Sequence, residues 1–285
     1  MPFSVEKNIA IVSNPLAGAG RADMCSEKIR LVLASKKIVH TIFITQWPKN
    51  FNQFTDIFIV GGDGTLNYFI NHYRGLKLPL VIFRGFTGND FHWLLYGDIN
   101  FDEQLQIALT GTAKPIDIAV CNDRYFINGV GIGFEGEVVK TLSGKKKLPG
   151  KTSFLLTILK KIFSYRSKNY SIEAAGERFT GKKLMIDISN GRRAGRGFLI
   201  APLAKANDGL LDVVIVNALT SLKRLRYLSV IERGHHLHLP FIHHFNTTKI
   251  SVKSNEIISY HADGEYFEAK KIMIEILPAT VNFRY

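Results

Sequence analysis

Residues 57–67 read Ile-Phe-Ile-Val-Gly-Gly-Asp-Gly-Thr-Leu-Asn, and few folds can hold such a segment. A short apolar run that ends on glycines reads as a strand buried on both faces, which occurs where helices cover both sides of a parallel sheet. The turn that follows combines Gly61, Gly62 and Gly64 with one carboxylate, Asp63, and one hydroxyl, Thr65. Glycines omit the Cβ atoms that would hold a ligand away from the main chain. Several N–H groups can then converge on phosphate oxygens, and a following helix adds its positive end. Asp63 supplies an oxygen suited to Mg²⁺ or to polarising an attacking group, and Thr65 a phosphate hydrogen bond. A tight strand-to-helix turn with no ligand is the plainer alternative.

The flanking sequence supports the parallel sheet. Asn8–Val12 and Val39–Ile44 read as strands around a helix over Ala22–Ser35, and Asp56–Val60 and Leu80–Phe83 continue the βαβ pattern. After Pro115 the texture becomes β-rich, with strands expected at 116–120, 124–128, 170–174, 184–188, 211–216, 248–252, 257–261 and 271–276. Two helices, Ser153–Ser164 and Ser221–Arg233, interrupt them. The expected organisation is an α/β nucleotide-binding domain with a parallel sheet over 1–115. A β-rich sandwich domain follows over 116–285, and its last strand is a candidate to return to the first domain. A length of 285 residues suits two cores rather than one.

Composition narrows the partners. Thirty-seven Lys and Arg against 24 Asp and Glu give a net charge of +13, a field that attracts nucleotides, nucleic acid or anionic lipid. The aromatic residues are not ordered as a base-stacking platform, so nucleic acid is not the expected partner. Cys25 and Cys121 form neither a disulfide framework nor a metal pair, which fits a reducing cytoplasm. No window approaches the ~18 apolar residues of a spanning helix, so membrane contact is expected to be peripheral. Nothing in the sequence speaks to oligomeric state.

Gly-Gly-Asp-Gly-Thr occurs in diacylglycerol and sphingosine-type lipid kinases, in NAD kinases and in phosphofructokinases. Further segments, in order, resemble the lipid kinase family that includes bacterial diacylglycerol kinases. They are Asn14-Pro15-Leu16-Ala17-Gly18-Ala19-Gly20, Phe86-Thr87-Gly88-Asn89-Asp90-Phe91, Asn190-Gly191 with Ala201-Pro202, Asn207-Asp208-Gly209-Leu210-Leu211-Asp212-Val213, and Asp263-Gly264-Glu265. The resemblance spans nearly the whole chain. It implies an NAD kinase/diacylglycerol kinase-like fold and transfer of the γ-phosphoryl group of ATP to a lipid hydroxyl, with Mg²⁺. ATP would lie over Gly61–Thr65, with Asn14, Thr45, Asn67, Thr87, Gly88 and Asn89 around the nucleotide and Asp63 and Asp90 ordering the metal and phosphates. Asp263 or Glu265 would act as general base, and the lipid would enter between the domains. Asp208 with the carbonyls of Lys205 and Leu210 would hold a supporting Mg²⁺. Diacylglycerol, a sphingoid base and a polyprenol are all open as substrates.

The sequence also departs from the family pattern. Asn67-Tyr68 stands where the family has Asn-Glu, Arg84-Gly85-Phe86 where it has Pro-x-Gly, and His92 where it has a small residue. An NAD kinase-like enzyme with a soluble substrate and a non-catalytic lipid or nucleotide binder are therefore the alternatives.

Four other signals have plainer readings. Gly131-Ile132-Gly133-Phe134-Glu135-Gly136 fits a dinucleotide fingerprint, but no acidic residue occurs between Thr141 and Tyr170, so a structural glycine turn is expected. Gly144–Thr152 has one residue too many for a Walker A loop and reads as a basic surface loop. The apolar stripes of 153–164 and 221–233 are expected to pack on a core, with membrane docking as the alternative. His235, His236, His238, His243 and His244 lack metal-ligand spacing and are expected in a loop.

Overall fold

The computed structural model describes residues 6–15, 20–85, 89–143, 151–195 and 197–285, without the side chains of 151–153. The chain divides into two compact units, Met1–Ile116 with Ala279–Tyr285, and Asp117–Pro278.

In the first unit, β1 (Asn8–Ser13) pairs in parallel with β2 (Val39–Phe43) and β3 (Asp56–Gly61), and β3 pairs in parallel with β4 (Leu80–Arg84). Beyond β4 lies the end of the last strand, β13 (Glu265–Arg284), where Phe283 pairs with Leu80. All six residues of β3 are buried, and each apolar side chain there contributes about 1.5–3 kcal/mol by leaving water. Helix α1 (Arg21–Ser35) buries Ala22, Ser26, Ile29 and Leu33, one stripe of a 3.6-residue period. Helices α2 (Asp63–His72), α3 (Asp90–Tyr96) and α4 (Phe101–Thr110) complete this unit. Asn100 and Glu103 start α4 with a reciprocal capping box. At the foot of β3, the buried Asp56 accepts a hydrogen bond from Arg284 Nε and lies 3.6 Å from Lys7 Nζ. A buried carboxylate is tolerable only when paired, so Asp56 fixes where the returning strand ends.

The second unit is an antiparallel assembly. Its strands are β5 (Ala113–Cys121, which starts in the first unit), β6 (Arg124–Phe126), β7 (Gly129–Gly133), β8 (Lys168–Ala174), β9 (Glu177–Ser189), β10 (Leu211–Asn217), β11 (Ile242–Thr247), β12 (Lys249–Ala262) and the first part of β13. They run in the order β11-β10-β9-β7-β12-β13, with β8 joining β9 and β12. Strand β10 serves two cores. Val213 and Ile215 pack with Ile132, Ile186 and Ile272 inside the sheet, while Val214 and Val216 pack with Val138, Ile158 and Ile162 under the helices. Those helices are α5 (Phe134–Ser143), α6 (Lys151–Ser164) and α7 (Ser221–Glu232).

Several sequence expectations need correction. The glycine stretch at 131–136 is a strand running into a helix, β7 and α5, rather than a turn. Gly131 lies between His261 and Asp187 on neighbouring strands, and the missing Cβ leaves room for the head groups of Glu135 and His261. His243 and His244 lie on β11, outside any loop, held by pairing with β10 and by His244 Nε2 against Asp212 at 2.9 Å. The segments at 248–252 and 257–261 form one strand with an irregularity between Lys253 and Ile258. Helix α7 has no fully buried residue, but Leu228 of its stripe packs, partly buried, against the core, while Leu222 and Leu225 stay exposed.

Candidate functional site

The strand β3 ends in a pinch. Gly85 N–H donates to Gly61 O at 2.9 Å, and a Cβ on Gly85 would lie 2.8 Å from Gly61 Cα. A Cβ on Gly61 would sit 2.4 Å from Thr65 Oγ1. Both glycines are therefore demanded by close packing of this chain on itself. Gly62 is the extended N-cap of α2, which starts at Asp63. Gly64 differs from its neighbours. It is exposed, within the first turn of α2, and among the described residues nothing lies within 4 Å of where its Cβ would be. Among the described residues, neither packing nor a left-handed backbone asks for glycine there.

Side chains gather around this helix start. Asn14 Nδ2 donates to Thr65 Oγ1 at 3.3 Å, bringing the end of β1 to the turn. Asp63 accepts from the N–H groups of Asp90 at 2.8 Å and Phe91 at 3.2 Å, so its carboxylate caps α3 and locks the two helix starts together. That is a structural duty the sequence did not reveal. Asn67 is buried on α2 with Asn71 Nδ2 on its carbonyl at 3.0 Å. Thr45 is exposed just after β2, and Asn89 is the N-cap of α3. Thr87 and Gly88, with Phe86 and Leu16–Ala19, lie outside the described residues, as do residues 144–150 of the expected basic loop, whose last two residues, Lys151 and Thr152, belong instead to α6.

In the second unit, Asp263-Gly264 is the two-residue corner of the β12–β13 hairpin, with φ of 47° and 83°. Its carboxylate accepts three main-chain bonds, from Ile127 at 2.8 Å, Asn128 at 2.9 Å and Gly129 at 3.0 Å. Asp263 thus anchors the corner to β7, and taking a proton would break that anchorage. Glu265, two residues on, is half exposed and 3.4 Å from Arg124. The loop bearing Lys205, Asp208 and Leu210 is closed by its own bonds. Asp208 Oδ1 accepts from Leu210 N–H at 3.1 Å, and the buried Asp117 accepts from Gly209 N–H at 2.7 Å. Asp117 was not singled out from the sequence. Among the described residues, no group of three or more His, Cys, Asp or Glu is arranged to hold a metal ion.

A second group escaped the sequence reading. Glu135 Oε2 lies 3.5 Å from His261 Nε2 over the gap at Gly131, while Gly264 N–H reaches His261 Nδ1 at 3.4 Å. Asp187 is fully buried beside them, its Oδ1 bonded to Ser189 Oγ and its Oδ2 without a hydrogen-bond partner. Burial first, then the charge of Glu135, pushes its carboxyl well above the usual range. Only the meeting of three strands creates this cluster, so no local pattern could have disclosed it.

Comparison with known proteins accounts for both units. Residues 8–121 match the diacylglycerol kinase catalytic domain, and residues 113–284 match the YegS C-terminal NAD kinase beta sandwich-like domain. The chain belongs to the lipid kinase family. A "probable lipid kinase YegS-like" protein of Shewanella frigidimarina is 29% identical over 233 residues, which cover 80% of this chain and 75% of that protein. A diacylglycerol kinase of Bacillus subtilis is 29% identical over 220 residues, covering 75% of this chain and 72% of that one. Among solved structures, a "putative diacylglycerol kinase" of Bacillus anthracis superposes with a TM-score of 0.80 at 25% identity, covering 98% of this chain and 97% of that one.

Two of the departures from the lipid kinase pattern explain each other. Arg84 Nε donates to His92 Nδ1 at 3.0 Å, and Arg84 Nη2 reaches Gly97 O at 2.7 Å. The arginine and the histidine are one substitution in structural terms, stitching β4 to α3. His92 is buried, and burial lowers its pKa to about 4. The third departure, Tyr68, stands 56% exposed on α2, stacked on His72 and edge-on to Trp47 at 5.5 Å. Where this lipid kinase family carries a carboxylate, the chain presents an aromatic surface.

Proposed function

We propose that this protein transfers the γ-phosphoryl group of ATP to the hydroxyl of a lipid such as diacylglycerol, working as a peripheral protein at an anionic membrane surface. The observation that carries this reading is Gly64. A glycine that neither packing among the described residues nor backbone geometry requires, in the first turn of a helix whose leading N–H groups lack intrahelical acceptors, fits a phosphate group pressed against the main chain. Asn14, Asn67, Thr65, Thr45, Thr87, Gly88 and Asn89 would surround the nucleotide, and Asp63 and Asp90 would order its phosphates. Glu265 is the proposed general base, because Asp263 is committed to three amides. Mg²⁺ is the proposed cation. Asp208 with the carbonyls of Lys205 and Leu210 makes an all-oxygen donor set of the kind it takes, and there it would neutralise charge and brace the 205–210 loop.

The test follows from opposite expected signs. Gly64→Ala should leave the protein as stable or stabilise it by about 0.5–1 kcal/mol, since alanine loses less entropy in a helix. The same change should abolish transfer from labelled ATP to diacylglycerol, a sphingoid base or a polyprenol, offered alongside NAD. Wild-type turnover by that variant would refute the reading. Glu265→Gln should remove transfer without unfolding, whereas Asp263→Asn should chiefly lower stability.

A further inference from the structure

We infer that Tyr68, steadied by His72 and Trp47, is the surface on which the base of the bound nucleotide stacks, so that this residue sets the affinity of the chain for its phosphoryl donor. The inference rests on the reading of Gly64 as a phosphate site. Gly64, Tyr68 and His72 follow one another at intervals of four along α2, and all three are exposed, whereas Thr65, Leu66, Asn67, Phe69 and Ile70 are buried. Residues four apart lie on one face of a helix, each about 6 Å further along its axis. The open glycine and the exposed ring therefore share a single stripe. Each Cα–Cβ bond of a helix tilts toward the N-terminus, so the side chain of Tyr68 leaves the helix in the direction of Gly64.

Neighbouring rings hold the phenol in place. Tyr68 and His72 lie ring on ring, with centroids 5.6 Å apart and planes 11° from parallel, which takes one face of the phenol. Trp47 meets Tyr68 at 69° and is itself backed by Phe69 and Tyr73, at 5.8 and 6.4 Å between centroids. The Trp47 indole Nε1 donates to Ser13 O at 3.4 Å, which ties this aromatic group to the end of β1. The next residue is Asn14, which donates to Thr65 in the turn. With one face against His72, the ring of Tyr68 keeps 56% exposure for an incoming group.

The chemistry of the stripe selects the occupant. A single exposed aromatic residue needs no explanation, but adjoining rings in line with a helix start suited to phosphate form one composite surface. A nucleotide carries an anion at one end and a flat π system at the other, and its ribose spans a gap of the order that separates Gly64 from Tyr68. An acyl chain would match the rings alone and has nothing to offer Gly64. The carboxylate that the family pattern places at this position would set a negative charge beside the phosphates. Tyrosine removes that charge and supplies a face for stacking, a contact that tolerates any base because every base has such a face.

The test is equilibrium binding to the full chain, without lipid, by titration calorimetry with ATP and with inorganic tripolyphosphate. Tyr68→Ala should weaken ATP at least ~10-fold while changing tripolyphosphate by less than ~2-fold, because only ATP has a base to stack. Tyr68→Phe, which keeps the ring, should bind ATP like wild type, and Tyr68→Glu, which installs the residue of the family pattern, should lose at least as much as alanine. A second readout is the fluorescence of the ethenoadenine analogue of ATP, which stacking quenches: wild type and Tyr68→Phe should quench it, and Tyr68→Ala should not. Melting curves check that each variant is folded. Equal ATP affinity in wild type and Tyr68→Ala would overturn the inference, as would an equal loss of ATP and tripolyphosphate, and either result leaves the kinase reading standing. Wild type that binds neither ATP nor tripolyphosphate would instead sink the kinase reading and the stacking with it.

Discussion

Acid should loosen the first unit through one imidazole. His92 is 1% exposed, accepts a hydrogen bond from Arg84 at Nδ1 and packs its ring 4.9 Å from that of Tyr96. Burial holds its pKa near 4, against 6.5 for an ordinary histidine. The folded chain therefore keeps the ring neutral over a range where the unfolded chain protonates it. Stability from this site is fully present above about pH 6.5 and is lost as pH falls toward 4. A span of about 2.5 pH units at about 1.4 kcal/mol each sets a ceiling of roughly 3.5 kcal/mol. His92→Gln keeps an acceptor for Arg84 but cannot titrate. Urea unfolding followed by tryptophan fluorescence reports this unit selectively, because Trp47 and Trp93 both lie in it. The stability difference between wild type and variant should favour wild type most at pH 7.5 and shrink by roughly 2–3 kcal/mol at pH 4.5. Other groups titrate in both proteins and cancel. A difference that is flat across that range would refute the account of His92.

Two further outcomes are expected. Asp187 works in the opposite sense: its raised pKa means the folded state holds a proton that the unfolded state gives up, so stability falls as pH rises from the ordinary carboxylate range toward the raised value. Asp187→Asn should flatten that fall and add about 1–3 kcal/mol at pH 8 by urea titration, and an unchanged slope would count against it. Gly61→Ala should destabilise by about 1–3 kcal/mol in thermal melts, since its Cβ would collide with the Thr65 side chain, in contrast to the harmless Gly64→Ala.

What the sequence disclosed and what it hid follow from how far each signal reaches along the chain. The run 57–60 and the turn after it were legible because burial on both faces and tight main-chain approach are written in consecutive residues. Helix α1 was legible for the same reason, its stripe falling on a single period. Strand β7 was hidden because glycines locally signal a turn, and only Glu135 and His261, brought from elsewhere, explain why side chains are missing there. The pairing of Arg84 with His92 turned two apparent anomalies into one compensated change. The duty of Asp63 as a cap for α3 depends on a helix that begins 27 residues later, beyond the reach of any short pattern. Histidines 243 and 244 looked like loop residues because Pro240 precedes them, yet the ladder with β10 claims them.

The path of β13 has a consequence for how the protein is made. That strand opens at Glu265 and finishes at Arg284 on Asp56, so the first unit lacks an edge until residues 279–285 have been synthesised. At about 5–20 residues per second, the interval between Gly61 and Phe283 on the ribosome is on the order of 10–40 s. For that time the β4 edge has no Phe283 to pair with and Asp56 has no Arg284. A nascent chain stalled before residue 279 should therefore be more open to protease in its first hundred residues than the finished protein, although every residue of the glycine turn has long been in place.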